Sequence, residues 1–530
     1  FFSAIPGLSR HHYGTDIDVY ASNLLSENEK LDLTNKVYTT GSQAKLSEWL
    51  TDNMQKFYFF RPYQTKNSLY ANELWHISYY PEADKFTEHL DKVECLDFLS
   101  KNALAQCDAF DVVAGVNSSS GISVFQGKLK ETEISNSSGI GIRVFCDGRP
   151  GYAFTESLEE RALNQVLSDA IAHTEFTEPL PIELPAPKLD GNETELYFPE
   201  VEAYSFEEMK ELCLDIEERS LKNPEIENVP YLGASKSVSD FYFLNSNGIR
   251  YSRKSSHLAA SVGVVAERDS VKKLGVYSQV VFNGKDFDAE KISFNAVDRA
   301  RSLLGSKPIT SGIYPIVFSE RVSGNIVSMY ASAFSAEAVQ KGNSRLKGLM
   351  GKQIAAPCFS MKNDPTRKDL PGFATFDGEG VPTELLEMVV DGKLNSYLYN
   401  LETAAKDGLK SNGCASRSYG GPATCGFHNL IVEQGKLSTE ELLSLFPQTL
   451  LIVKLDGNSG CNAVSGELSI GAQGFLCENG KIIHPVDGLT LSTNYFDLLQ
   501  NIQAVGSEYN DHYSSVRVPA LAVSNISVSN

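Results

Sequence analysis

The sequence predicts an α+β protein in which helix-and-strand meander units come first and a β-rich C-terminal domain follows. Three observations predict it. Strand-like alternation flanked by helical periods fills residues 93–176, and a second region of the same kind follows a proline-rich stretch. Past residue 311 the chain turns to short strands punctuated by glycine. At 530 residues there is room for several domains, and 42% hydrophobic with 22% charged content is ordinary for a globular chain.

Residues 1–92 form an N-terminal extension rich in aromatic clusters, Phe57-Tyr58-Phe59-Phe60 and Trp75-His76-Ile77-Ser78-Tyr79-Tyr80. That is too aromatic for disorder, and a small docked domain or latch is expected. Residues 93–176 read as a first unit, with a helix over 92–106. The strand segments FDVVAGVNSS, GISVFQGKLKETEIS and GIGIRVFCDGRPGYAFT follow, separated by Ser/Gly and Asp-Gly punctuation. Ser157 with Glu160 is expected to box the start of a helix running to His173.

Residues 177–202, with Pro179, Pro181, Pro185, Pro187 and Pro199, read as an extended linker. In the central region, 203–307, Ser205 and Glu208 cap a helix ending near Asn223-Pro224. Asn247-Gly248 signals a tight hairpin, the strand HLAASVGVVAE follows, and a helix is expected near 290–304. The C-terminal domain, 308–530, opens with the strand IYPIVF and a helix over 321–339. Val322, Ile326, Met329, Tyr330, Ala333 and Phe334 form one apolar face of that helix, which reads as core packing. Asp377-Gly378, Asp391-Gly392, Asp407-Gly408 and Asn479-Gly480 mark turns.

Composition narrows the function classes. A net charge of −20 argues against nucleic acid as partner, because phosphate contact needs clustered Lys and Arg. No apolar run approaches the ~18 residues that suggest a membrane span. Nine cysteines, an odd number without a C-x-x-C pair, favour a reducing compartment. The cytoplasm is expected, with an organelle left open because a segment removed before Phe1 would leave the same sequence.

Few residues suggest chemistry directly. In FDGEGVPT, Asp377 and Glu379 are acidic and Gly380 would let a peptide backbone approach, so these three are the candidate substrate-binding residues. A tight turn with solvated carboxylates is the plainer reading. Cys425 near His428 is a candidate thiol and base, and Asp456 with Cys461 a second such pair. No histidine pair after residue 12 has helical ligand spacing, and no dinucleotide fingerprint or phosphate loop occurs.

Five blocks, in order, resemble the TldD/PmbA family: SSSGISVFQGKLKETEISNSSGIGIRVFCDGRPGYAFT, the hairpin at Asn245-Ser246-Asn247-Gly248, and FDGEGVPT with VVDGKLNSYLYNLETAAKDGLKSNGCASR. NAVSGELSIGAQGFLCENGKIIHPVDGLTL and FDLLQNIQAVGSE with VRVPALAVSNISV complete the set. They span residues 93–530 and leave 1–92 outside. The family's zinc-bearing branch carries His-Glu-x-x-x-His on the helix that corresponds to 321–339. Those positions fall here on Ser328, Met329 and Ala333, and the third ligand position falls on Asp456.

The resemblance therefore implies the PmbA/TldE branch, with no catalytic residue and no metal in this chain. Zinc is expected in a TldD-like partner subunit, the pair forming a heterodimeric metallopeptidase for unfolded, extended or leader peptides. The alternative is a non-catalytic structural or peptide-binding relative, acting as a homodimer with a second copy of itself or within a larger assembly. A third possibility is an independent hydrolase using Cys425/His428 or Asp456/Cys461.

Overall fold

Two long runs of alternating residues, Ala109–Phe125 and Lys128–Cys146, pair antiparallel along their whole length and define the centre of the fold. Our computed structural model describes residues 16–25, 35–53, 59–60, 74, 76–79 and 93–530. The two strands join through Gln126-Gly127, and Asp147-Gly148 leads on to Arg149–Thr155; both turns have positive φ at both residues, as two-residue hairpins require. The Ser/Gly stretches expected to separate strands lie inside them instead, in unbroken register from Asn117↔Ser137 to Gly121↔Glu133. Small residues serve there because backbones crowd. A Cβ on Gly121 would sit 2.9 Å from the Ala234 carbonyl of the next strand.

That next strand, Ile226–Asn245, pairs with Ala109–Phe125 from Asp111↔Asn245 to Ser123↔Gly233. The regions 93–176 and 203–307, read from sequence as separate domains, thus share one seven-stranded sheet, completed by Arg250–Arg268, Val271–Val281 and Asn192–Leu196. Two helical layers cover it. A helix over 93–103 and Glu160–His173 bury Leu99, Leu163 and Leu167 against Val112, Ile140 and Ile142. Phe206–Leu221 and Ala289–Arg301 bury Met209, Ile216, Ile292 and Ala296 against Val262 and Val264. Glu217, buried in the first of these, accepts hydrogen bonds from the amides of Gln126 (2.8 Å) and Gly127 (2.7 Å) and so pins the hairpin turn.

Local signals succeed unevenly. The Ser205–Glu208 capping box is present. The helix ending at His173 starts instead after Glu159 without a side-chain cap, and Ser157 Oγ accepts from the Glu159 amide. At Asn247-Gly248 only the glycine has positive φ. Asn245 Oδ1 accepts from the amides of Asn247 (3.0 Å) and Ile249 (3.1 Å), holding a wider loop than the tight turn expected. Residues 177–191 lack helix and strand, but the expected linker ends in the strand Asn192–Leu196 and the helix Pro199–Ala203.

The C-terminal domain is β-rich. Its six-stranded sheet runs Gly312–Phe318, Gln448–Asp456, Glu467–Glu478, Lys481–Asn494, Leu521–Ser529, Ile502–Val505. The expected helix over 321–339 is broken into Ser323–Met329, a 3₁₀ turn Ala331–Phe334, and Ala336–Gln340. Its apolar face packs as expected, with Val322, Ile326, Tyr330, Ala333 and Phe334 buried. The break has a tertiary cause. Tyr330 stacks on Tyr495 at 4.2 Å and donates its hydroxyl to the Glu467 carbonyl, while extended Ser335 caps the next turn by accepting from the Ala338 amide.

In the N-terminal region Asp16–Asp18 pairs antiparallel with His76–Tyr79, which pairs with Phe59–Phe60; Asp18 stands opposite His76 in register. Phe57, Tyr58, Trp75, Tyr80, His11 and His12 lie outside the described residues, as does most of the segment expected to dock as a latch. Among the described residues no helix is long and apolar enough to cross a membrane.

Candidate functional site

Alternation along two neighbouring strands places Asp111 and Arg143 opposite each other in register. Arg143 donates Nε (3.0 Å) and Nη2 to one Asp111 oxygen, and its Nη1 reaches Glu379 Oε1 of the C-terminal domain at 2.6 Å. Arg417, also from that domain, donates Nη1 to the other Asp111 oxygen at 2.6 Å. The second Glu379 oxygen accepts from the Leu401 amide at 2.7 Å. These four side chains are between 0% and 8% exposed, so two anions and two cations form a closed buried network across the seam. Burial alone would raise the Asp111 carboxyl, but Arg143 and Arg417 outweigh it and hold the pKa below the usual carboxylate value. Burial likewise opposes the charge on Arg143, and Asp111 and Glu379 overcome it and raise its pKa.

Asp377 sits beside this network. Its carboxylate accepts from the amides of Glu379 (2.9 Å), Val381 (3.0 Å) and Ala415 (3.0 Å). Burial, and then the charge of Glu379, push it up to about 7 against the pull of those three donors. Asp377, Glu379 and Gly380, the candidate substrate-binding residues, are all buried. Both carboxylates are 0% exposed and committed to internal partners, and a Cβ on Gly380 (φ 75°) would meet the Phe243 ring at 2.4 Å. The reading as solvated turn residues fails for the same reason. Arg143 on a distant sheet draws Glu379 inward, and backbone amides hold Asp377.

Next to the network a cavity of about 270 Å³ opens between the sheet face, at Ser239, Phe241, Arg253 and Ser255, and the segments 415–417 and 426–428. Arg253 is fixed by Glu193 (2.5 Å) and the Phe376 carbonyl, with its guanidinium 4.5 Å from the Phe376 ring centre. His428 Nε2 lies 2.9 Å from the Gly413 carbonyl, and burial holds the imidazole down at about 4 and therefore neutral. No hydrogen bond joins His428 to Cys425, whose thiol lies 3.3 Å from Thr403 Oγ1 and is pushed up by burial. A Cys425/His428 nucleophile is thus not assembled. Sequence reasoning missed Asp111, Arg143, Arg253 and Arg417; the available signal was a lone charge inside each of the apolar runs FDVVA and GIRVF.

The positions at which the resemblance leads one to expect zinc ligands do not fit zinc. Ser328 is exposed and donates to the Asn325 carbonyl (3.1 Å), Met329 is half-buried, and Ala333 is a core residue. Asp456 accepts from Gln473 at 2.8 Å, and Cys461 Sγ donates to the Ser469 carbonyl at 3.9 Å. A hydroxyl, a thioether and a methyl group cannot build a tetrahedral N/S/O site. Among the described residues no group of three or more His, Cys, Asp or Glu is placed to hold a metal ion.

Replacing Asp111 by Asn takes the one carboxylate partner from buried Arg417 and one of two from Arg143, and should destabilise the chain by about 3–5 kcal/mol at pH 7, read by urea unfolding. Because the folded carboxyl is held below its unfolded value of about 3.9, the wild-type advantage is fully present above that pH. It is lost as pH falls through the lower folded value, so the two proteins converge only in acid. Equal stability at pH 7 would contradict the network's role.

Comparison with known proteins places this geometry in a family. Profiles described as PmbA/TldA metallopeptidase domain 1, central domain and C-terminal domain match residues 110–174, 199–304 and 311–530. Residues 1–82, outside these three profiles, match one described as D-alanyl-D-alanine carboxypeptidase. The chain is 26% identical over 433 residues to "Metalloprotease PmbA" of Escherichia coli O157:H7, covering 79% of this chain and 93% of that one. It is 28% identical over 414 residues to a "Metalloprotease PmbA homolog" of Haemophilus influenzae, covering 76% and 88%. A solved Thermotoga maritima MSB8 protein, described as a proposed modulator of a DNA gyrase, superposes with a TM-score of 0.75 at 27% identity over 82% of this chain and 99% of that one. TldE from Thermococcus kodakarensis does so at 0.70 and 21% identity over 82% and 100%, a likeness of fold alone. With its three domain profiles matched in order across residues 110–530, the chain belongs to the PmbA/TldD family.

Proposed function

We propose that this chain is a PmbA/TldE-like subunit, pairing in the cytoplasm with a zinc-bearing TldD-like chain to cleave unfolded or leader peptides. The observation that supports it most is the segment Ser323–Gln340. Positions five apart on a regular helix point ~140° apart, so two ligands there need a broken helix. This chain keeps such a break, held by Tyr330 and Ser335, while Ser328, Met329 and Ala333 provide no ligand and no base. A retained scaffold with its chemistry vacated suits a subunit that shapes a shared chamber. The metal, and the water it activates, would belong to the partner. Nine free thiols are compatible with a reducing compartment.

Co-expression with a TldD-like chain tests this. The two should co-purify, and cleavage of an unfolded peptide should require both and vanish with chelator. Exclusive self-association with no cleavage in the mixture would instead favour the homodimeric, peptide-binding alternative. Stoichiometric zinc on the pure chain at the Ser328 segment would overturn the subunit reading.

A second reading concerns residues 1–82, which match the D-alanyl-D-alanine carboxypeptidase profile and bring Asp18 opposite His76 across paired strands. Carboxylate and imidazole residue types are suited to proton transfer at a peptide bond. The full chain should release D-alanine from a peptide ending in D-alanyl-D-alanine, and Asp18→Ala should cut the rate roughly a hundredfold or more. No release, or an Asp18→Ala rate equal to wild type, counts against this activity.

A further inference from the structure

We propose that the cavity at the seam binds the carboxyl-terminal residue of a peptide, with the carboxylate on Arg253 and the last amide N–H on His428. The inference rests on the reading that this chain handles peptides, and it names the part of the peptide that the cavity takes.

The sheet wall is set by register. Ser239↔Ser255 and Phe241↔Arg253 are adjacent cross-strand pairs, so two hydroxyls, a ring and a guanidinium share one face. Glu193 holds Arg253 Nε and the Phe376 carbonyl holds Nη2, which leaves Nη1 with no hydrogen bond inside the chain. On the opposite wall, the Gly413 carbonyl can only accept, so the His428 proton resides on Nε2. Nδ1 is then an acceptor without an internal partner. The cavity therefore offers one fixed cationic donor and one fixed neutral acceptor, with Ser416 adding a hydroxyl and Phe241, Phe427 and Ala415 adding apolar surface.

Other ligand classes fit less well. A metal ion would meet a guanidinium and a single imidazole nitrogen. A phosphate dianion would meet too little positive charge, because Glu193 offsets Arg253 and Asp111 offsets Arg417. The volume, about 270 Å³, falls just below the ~300–1,000 Å³ of pockets for drug-sized ligands, which suits one or two residues. A peptide end combines a carboxylate, an N–H and one side chain, matching the donor, the acceptor and the apolar wall. Nε and Nη2 of Arg417, a residue that also lines the cavity, are buried without hydrogen-bond partners.

Calorimetric titration of the full chain with N-acetyl-alanyl-alanine and with its C-terminal amide tests the proposal. The acid should bind and the amide should bind about tenfold more weakly or worse, the value of one charge-assisted hydrogen bond. Ser255→Leu, which fills the cavity and leaves the Arg253–Glu193 pair intact, should abolish binding of the acid. Arg253→Lys should weaken it; should that variant fail to fold, Ser255→Leu and the acid–amide comparison decide. Equal affinity for acid and amide, unaltered binding by Ser255→Leu, or no binding of the acid at millimolar concentration would overturn the proposal. Such a failure leaves pairing with a TldD-like chain untouched, since co-purification reads that separately.

Discussion

The fold depends on the buried exchange of charge among Asp111, Arg143, Glu379 and Arg417. Each of these ions loses its hydration, at a cost of several kcal/mol apiece, and only mutual pairing with good geometry offsets that cost. Asp111 and Arg143 pair within the sheet, but Arg143–Glu379 and Arg417–Asp111 exist only when the sheet and the C-terminal domain are docked. An undocked C-terminal domain would leave Glu379 and Arg417 without their charged partners and would strip Asp111 and Arg143 of the second partner that each has across the seam. The network thus makes docking specific, and it fixes the register at which the two surfaces meet.

That register has consequences for the site. Asp377, tied to the amides of Glu379, Val381 and Ala415, holds the 376–382 turn against the strand at 415–416. Gly378 has to be a glycine for this approach, since a Cβ would meet the Arg417 amide at 2.8 Å. With the turn set, Phe376 presents its ring and carbonyl to Arg253, and the cavity gains an immobile guanidinium on one wall. Acidic residues that look like a binding motif therefore act one layer behind the surface. They position the groups that line the cavity.

Much of the local structure was legible in the sequence. The capping box at Ser205 and Glu208 and the apolar face from Val322 to Phe334 follow from short-range rules and are present. What escaped was set by distant partners. Nothing near 93–176 announces that Ala109–Phe125 pairs with Ile226–Asn245, because pairing between remote strands leaves no trace in either strand's own periodicity. The helix over 321–339 looked continuous since its break depends on Tyr495 and on the Glu467 carbonyl, far along the chain. Glu379 looked solvent-facing because its partner, Arg143, is 236 positions away. The lone charges at Asp111 and Arg143 in apolar strands were the one local hint of the network, and Asp18 facing His76 emerges only from strand register.

Native-state hydrogen exchange at the amides of Glu379, Val381, Leu401 and Ala415 tests most directly whether the seam network unites the sheet and the C-terminal domain. If it does, these amides exchange only through global unfolding, with the same opening free energy as amides in the sheet core such as Val113. Exchange at the four amides through a separate opening, orders of magnitude faster than at Val113, would show that the C-terminal domain undocks on its own and would contradict the account.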